Sequence, residues 1–206
     1  MKIPGGYTIA IEGIDAAGKN TQSVLLSKWL GKHRIKATLM SFPDYDTPIG
    51  REIKSFLSGK TSYATELQHL LFAANRWEKL QEIKSRLKAG EALVVNRYTE
   101  SNLAYGSSNG LDIDWLASLE KGMPRADLVI VLDAHPHSLV SRRPGSSKDA
   151  YEQSNTLQAK AQKAYRELAR KRGWKVIDAG STIEDVQAAV VKAVREALER
   201  DRGIPI

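Results

Sequence analysis

The sequence predicts an α/β protein of three layers, a five-stranded parallel sheet flanked by helices on both faces. Two observations predict it. Short apolar runs alternate with longer stretches of helical pattern, which is the signature of a parallel sheet covered on both sides. A glycine-containing loop also sits directly between the first apolar run and the first helical stripe. At 206 residues, with 42% hydrophobic and 27% charged residues, the chain suits one domain over 1–206 with a substantial core.

The elements follow in order. "YTIAIE" reads as a buried first strand. "NTQSVLLSKWLGKH" carries Val24, Leu25, Leu26, Trp29 and Leu30 as a helical stripe ending near Gly31. "KATLMSF", "ALVVNR", "ADLVIVLD" and "WKVIDA" read as strands two to five. Helices are expected chiefly at 64–89, 154–172 and 182–200. "RRPGSSKD", 142–149, has loop composition between the fourth strand and a long helix, which reads as a lid or a plain surface loop.

Composition narrows the setting. There is no cysteine, so disulfides and thiolate metal sites are excluded and a cytoplasmic location is the expectation. No apolar run approaches about 20 residues, so no membrane partner is expected. The start, "MKIPGGYTIAIEG", enters a strand at once, and no signal peptide is expected. A net charge of +7 has three readings: a basic surface without meaning, a nucleic-acid surface, or a site crowded with phosphates. No nucleic-acid motif is visible and the basic residues are dispersed, so no nucleic-acid partner is expected.

The chemistry begins at "GIDAAGKNTQ". The pattern G-x-x-x-x-G-K lets Gly13 and Gly18 curl the backbone around phosphates, with Lys19 reaching the outer ones and the next helix adding its positive end. Thr21 adds a hydroxyl nearby. Asn20 stands where such loops place the Ser or Thr that holds magnesium. Asp15 would repel phosphate unless it faces a hydroxyl of a second substrate. Phe72 and Arg76 lie four apart on a helix and share a face, although Phe72 also reads as core. Arg97 follows the third strand at the carboxyl edge of the sheet, where such folds place ligands. A guanidinium there can fork between phosphates or close a surface salt bridge.

Together, "IEGIDAAGKNTQ", "FPDYDTPIG", "HLLFAANRWE", "VVNRYTESNLAYG", "MPRADLVIVLD" and "RRPGSSKDAYE" resemble the thymidylate kinases in order and spacing, over about residues 7–185. The resemblance implies the P-loop nucleoside monophosphate kinase fold with a lid at about 142–153. It implies transfer of the terminal phosphoryl of ATP to dTMP, giving dTDP and ADP on the way to dTTP, with Mg2+, in a homodimer. Alternatives are a kinase of dUMP or UMP, or a degenerate nucleotide-binding protein.

The resemblance also implies roles. Ala16, Ala17, Gly18, Lys19, Asn20 and Thr21 join Gly13 around ATP, and 178–186 skirts the adenine. Phe72 stacks on thymine and Arg76 bonds a base oxygen. Phe42 and Pro43 wall the monophosphate pocket, with Ser101 and Asp15 lining it. Tyr45 takes the place of an arginine found in many relatives. Tyr105 lies near the sugar, where its bulk disfavours a 2′-hydroxyl, or is a half-buried surface residue. Tyr151 and Glu152 form a lid pair. Because Ala16 leaves the phosphate loop without an arginine, the catalytic cation is expected from Arg142, Arg143 or Lys148, one arginine lying instead on the adenine. Asn96 replaces the aspartate that usually precedes Arg97, so Asn20 and Asn96 are expected to act on the metal weakly or through water.

Overall fold

The computed structural model describes residues 3–134 and 155–205. Five parallel strands form one sheet in the order β2-β3-β1-β4-β5. They are β1 (Tyr7–Glu12), β2 (Ala37–Ser41), β3 (Ala92–Asn96), β4 (Leu128–Asp133) and β5 (Lys175–Asp178). β1 is central and every one of its residues is buried, as fits a mostly apolar run between two parallel neighbours. Its register pairs Ile11 with Asn96 of β3 and with Ile130 of β4. The carboxyl ends of β1, β3 and β4 therefore lie side by side, and the loops that follow β1 and β3 open onto one edge.

The helices are α1 (Lys19–Lys32), α2 (Pro48–Leu57), α3 (Thr65–Glu78), α4 (Leu80–Lys88), α5 (Thr99–Ser108), α6 (Ile113–Leu119), α7 (Asn155–Arg172) and α8 (Ile183–Arg202). α1 packs on the sheet beside α8, and α5 packs along α7. Leu26 and Leu30 of the α1 stripe are fully buried. At roughly 2 kcal/mol for each large aliphatic side chain taken from water, such stripes hold the helix layers to the sheet.

One expectation needs correction. The single helix at 64–89 is two, α3 and α4, divided at Lys79. The apolar spacing continues through Leu80, Ile83 and Leu87, so the break is invisible in the pattern. It coincides with an ion pair from Lys79 Nζ to Asp44 at 2.9 Å. Arg97 follows β3, as expected, with a φ of 62°, the left-handed region. The expected lid at 142–153 lies outside the described residues, and with it Arg142, Arg143, Lys148, Tyr151 and Glu152.

Candidate active site

The phosphate loop is built as its residue types demand. Gly13 has φ 136°, and a Cβ there would lie 2.5 Å from the Leu132 carbonyl oxygen, so only glycine fits against β4. Gly18, at φ 91°, caps α1 with no side-chain bond to the helix N-terminus, so the first turn keeps its amides for a ligand. Lys19 is buried inside the loop and its Nζ donates to the Ile14 carbonyl at 2.7 Å. Lys19, Asn20 and Thr21 line one open cleft with Asn96, Arg97 and Ser181 to Ile183. Thr182 both lines that cleft and caps α8, accepting from the Asp185 amide at 3.1 Å.

Asp15 stays beside the cradle, its Oδ1 4.0 Å from Lys19 Nζ. Its carboxylate takes an Nη2–H of Arg97 and an Nε2–H of Gln158 (2.7 Å), while the Asp15 amide donates to Gln158 Oε1 at 3.1 Å. The Arg97 guanidinium lies 5.3 Å from the centroid of the Tyr105 ring. Burial and the neighbouring Asp15 charge both push the Tyr105 hydroxyl above its ordinary range, so it stays a neutral donor. Asp15 and Arg97 thus sit together where the phosphate cleft meets a second pocket.

That second pocket is lined by Phe42, Pro43, Tyr45, Phe72, Arg76 and Tyr105, among others, and shares Asp15 and Arg97 with the cleft. Phe72 is half-buried and meets Phe56 edge-on at 5.7 Å, so one side of its ring is packed into the protein. Arg76 is 3% exposed and forks onto Glu120, itself 7% exposed, with Nε 3.1 and 3.2 Å from the two carboxylate oxygens. Ser101 lines the pocket, but its hydroxyl is engaged by Glu12 at 2.6 Å. Glu12 is fully buried and accepts also from the Tyr98 amide and the Tyr165 hydroxyl, which fixes the start of α5 to β1.

The Phe42–Pro43 wall is tied to α3. Asn75, fully buried, accepts from the Asp44 amide at 2.8 Å and donates to the Asp44 carbonyl and to Thr47 Oγ1. The Phe42–Pro43 peptide bond is cis.

A family model described as thymidylate kinase matches residues 11–190. The thymidylate kinase of Schizosaccharomyces pombe is 37% identical over 195 residues, 92% of this chain and 91% of the relative. The human thymidylate kinase is 34% identical over 205 residues, 96% of each. The chain belongs to the thymidylate kinase family. A solved thymidylate kinase structure from Candida albicans, described as revealing the origin of broad substrate specificity, matches with a TM-score of 0.83 at 32% identity. That match covers 93% of this chain and 92% of that one.

The two asparagines that depart from the commonest thymidylate kinase pattern, Asn20 and Asn96, both line the phosphate cleft. Asn96 Oδ1 is buried and has no hydrogen-bond partner among the described residues, and Asn20 is exposed at the mouth of α1. Among the described residues no group of three or more His, Cys, Asp or Glu is arranged to hold a metal. Leu57, His69 and Asn102, which line the second pocket, escaped the sequence reading, as did Gln158, which bonds Asp15. His69 lies three before Phe72 and seven before Arg76, and Asn102 three before Tyr105, so helical spacing from the known positions would have found both. Gln158 gave no sequence signal, since its partner Asp15 is 143 residues away.

Proposed function

We propose that this chain is an ATP-dependent dTMP kinase, giving dTDP and ADP. The observation that carries it is the junction: the phosphate cleft and the pocket lined by Phe72 and Arg76 are contiguous, and Asp15 and Arg97 belong to both. Donor and acceptor phosphates meet there. Phosphoryl transfer asks little covalent chemistry of a protein and much positioning and charge stabilisation. A monophosphate oxygen is already anionic at neutral pH, so no general base is needed.

In this reading Lys19 and the α1 amides hold the outer phosphates of ATP, and Ala16, Ala17 and Thr21 complete the cradle. Arg97, oriented by Asp15, spans acceptor and migrating phosphoryl groups. Phe72 stacks on the base, Arg76 faces its 4-oxo edge, and Phe42, Pro43, Tyr45 and Tyr105 enclose the sugar and phosphate. From the sequence, Arg142 or Arg143 supplies the further cation and Tyr151 approaches the nucleotide. Magnesium fits these residues: Asn96 Oδ1 is an orphaned acceptor on the phosphate side, and Asn20 adds an amide oxygen, both suited to holding water on an ion bound chiefly by phosphates. When bound, the ion neutralises phosphate charge. The assembly is a homodimer in this reading, supported by the exposed Leu67 and Leu70 on α3, and the location cytoplasmic.

The test is purified protein with ATP, magnesium and a panel of monophosphates. dTMP is used best, dUMP less well, and AMP or GMP hardly at all. Comparable turnover of a purine monophosphate refutes the reading, and silence at saturating magnesium points to a decayed site.

A further inference from the structure

Behind Phe72 and Arg76 lies a buried polar chain with defined polarity. His69 Nδ1 is 2.6 Å from Asn102 Oδ1. The Asn102 amide nitrogen donates to the His69 carbonyl and to Glu120 Oε1, each at 3.3 Å. Both acceptors require N–H groups on that side, so the opposite amide orientation would set oxygen against oxygen. Asn102 Oδ1 therefore faces the ring, and His69 Nδ1 must be the donor. The other ring nitrogen, Nε2, then accepts from Asn109 Nδ2 at 3.4 Å. Burial lowers the His69 pKa, the neighbouring Arg76 charge lowers it further, and the Asn102 bond opposes them. A neutral ring with hydrogen on Nδ1 satisfies every contact.

Both hydrogens of the Asn102 amide are thereby used, while its oxygen, an acceptor with two lone pairs, uses one. Asn102 and His69 both line the pocket, with Phe72 and Ser101. The two bonds from the amide nitrogen are long and the one to His69 is short, so the histidine dominates the orientation.

We propose that His69 is a positioning residue that holds Asn102 as an acceptor toward the base, so that the pocket admits a pyrimidine with a donor at N3 and excludes one with an acceptor there. This rests on reading the pocket as the monophosphate site. A 4-oxo pyrimidine carries N3–H; a 4-amino pyrimidine carries a bare N3, which would leave two lone pairs opposed in a buried place. Arg76 reads the neighbouring edge; His69 acts one shell back through Asn102.

The test compares dUMP with dCMP, which differ only in that edge, in the full-length protein and in His69→Phe and His69→Asn. Phe keeps a ring and removes the donor; Asn keeps a donor near the Nδ1 position. In His69→Phe the ratio of kcat/KM for dUMP over dCMP falls by about tenfold or more, through KM for the monophosphate, with KM for ATP unchanged. His69→Asn recovers part of it. A pocket merely loosened would weaken both substrates alike and leave the ratio, which overturns the proposal, as does His69→Asn behaving like His69→Phe. Should His69→Phe not fold, 15N shifts of the ring in wild-type protein decide: hydrogen on Nδ1 supports the proposal and hydrogen on Nε2 alone overturns it. If wild-type protein phosphorylates no pyrimidine monophosphate, the parent reading fails instead.

Discussion

Glu100, in the first turn of α5, is buried, and its Oε2 has no hydrogen-bond partner among the described residues. Burial first, and the Glu12 carboxylate second, raise its pKa from 4.5 to about 7. The folded chain then holds a proton that the unfolded chain releases, and stability falls as pH rises from about 4.5 to about 7 before levelling. At about 1.4 kcal/mol per pH unit, that interval corresponds to about 3 kcal/mol. Glu100→Gln keeps the shape and removes the titration. It should leave stability almost unchanged at pH 5 and raise it at pH 8 by up to about 3 kcal/mol. For a chain of this length that is roughly 6–12 °C in Tm. Thermal melts of both proteins at pH 5, 6, 7 and 8 measure it. A Tm difference that does not vary with pH would show that Glu100 is not held protonated by the fold.

Asn96→Asp should lower the magnesium concentration for half-maximal activity by adding a charge beside the phosphates, read from magnesium titrations with ATP and dTMP; an unchanged midpoint removes Asn96 from the metal's surroundings. Arg76→Ala strands the buried Glu120 carboxylate and should cost about 3–5 kcal/mol of stability by denaturant melts, as well as raising KM for dTMP. A loss of activity without loss of stability would mean that the Glu120 pair is unimportant to folding. Of Arg142→Met and Arg143→Met, one should lower kcat by at least about tenfold, a barrier rise of roughly 1.4 kcal/mol, and the other chiefly raise KM for ATP. Steady-state kinetics of both single variants and the double variant decide, and kcat within threefold of wild type in all three refutes a catalytic lid arginine.

The sheet was legible because a buried parallel strand must be continuously apolar, and "YTIAIE" and "LVIVLD" can be little else. α1 was legible from Leu26 and Leu30. α5 was not: "TESNLAYGSS" is rich in Gly, Ser and Asn and is buried on several sides, so it shows no single stripe. α2 carried signals that went unread, Thr47 as N-cap and Pro48 in the first turn. In the site, the phosphate loop could be read because its function lies in local backbone geometry. Arg97 and Phe72 could be placed from their motifs. What sequence withheld was pairing: that Asp15 would turn to Gln158, that Glu120 would meet Arg76, and that Glu12 would use the Ser101 hydroxyl. Each joins residues far apart in the chain, and no local pattern encodes such a meeting.

Asn75 joins the Phe42–Pro43 loop to α3 by bonds to Asp44 and Thr47, and Lys79 adds an ion pair to the same loop. The Phe42–Pro43 loop and α3, two walls of the second pocket, are therefore one mechanical body. In the proposed reading, a base too bulky for Phe72 is not accommodated by shifting α3 alone, because the displacement is transmitted to the loop 31 residues upstream. An oversized base thus misplaces its own phosphate. The rejection of purines predicted above would then be exerted at both ends of the same ligand, by an asparagine that lines neither pocket.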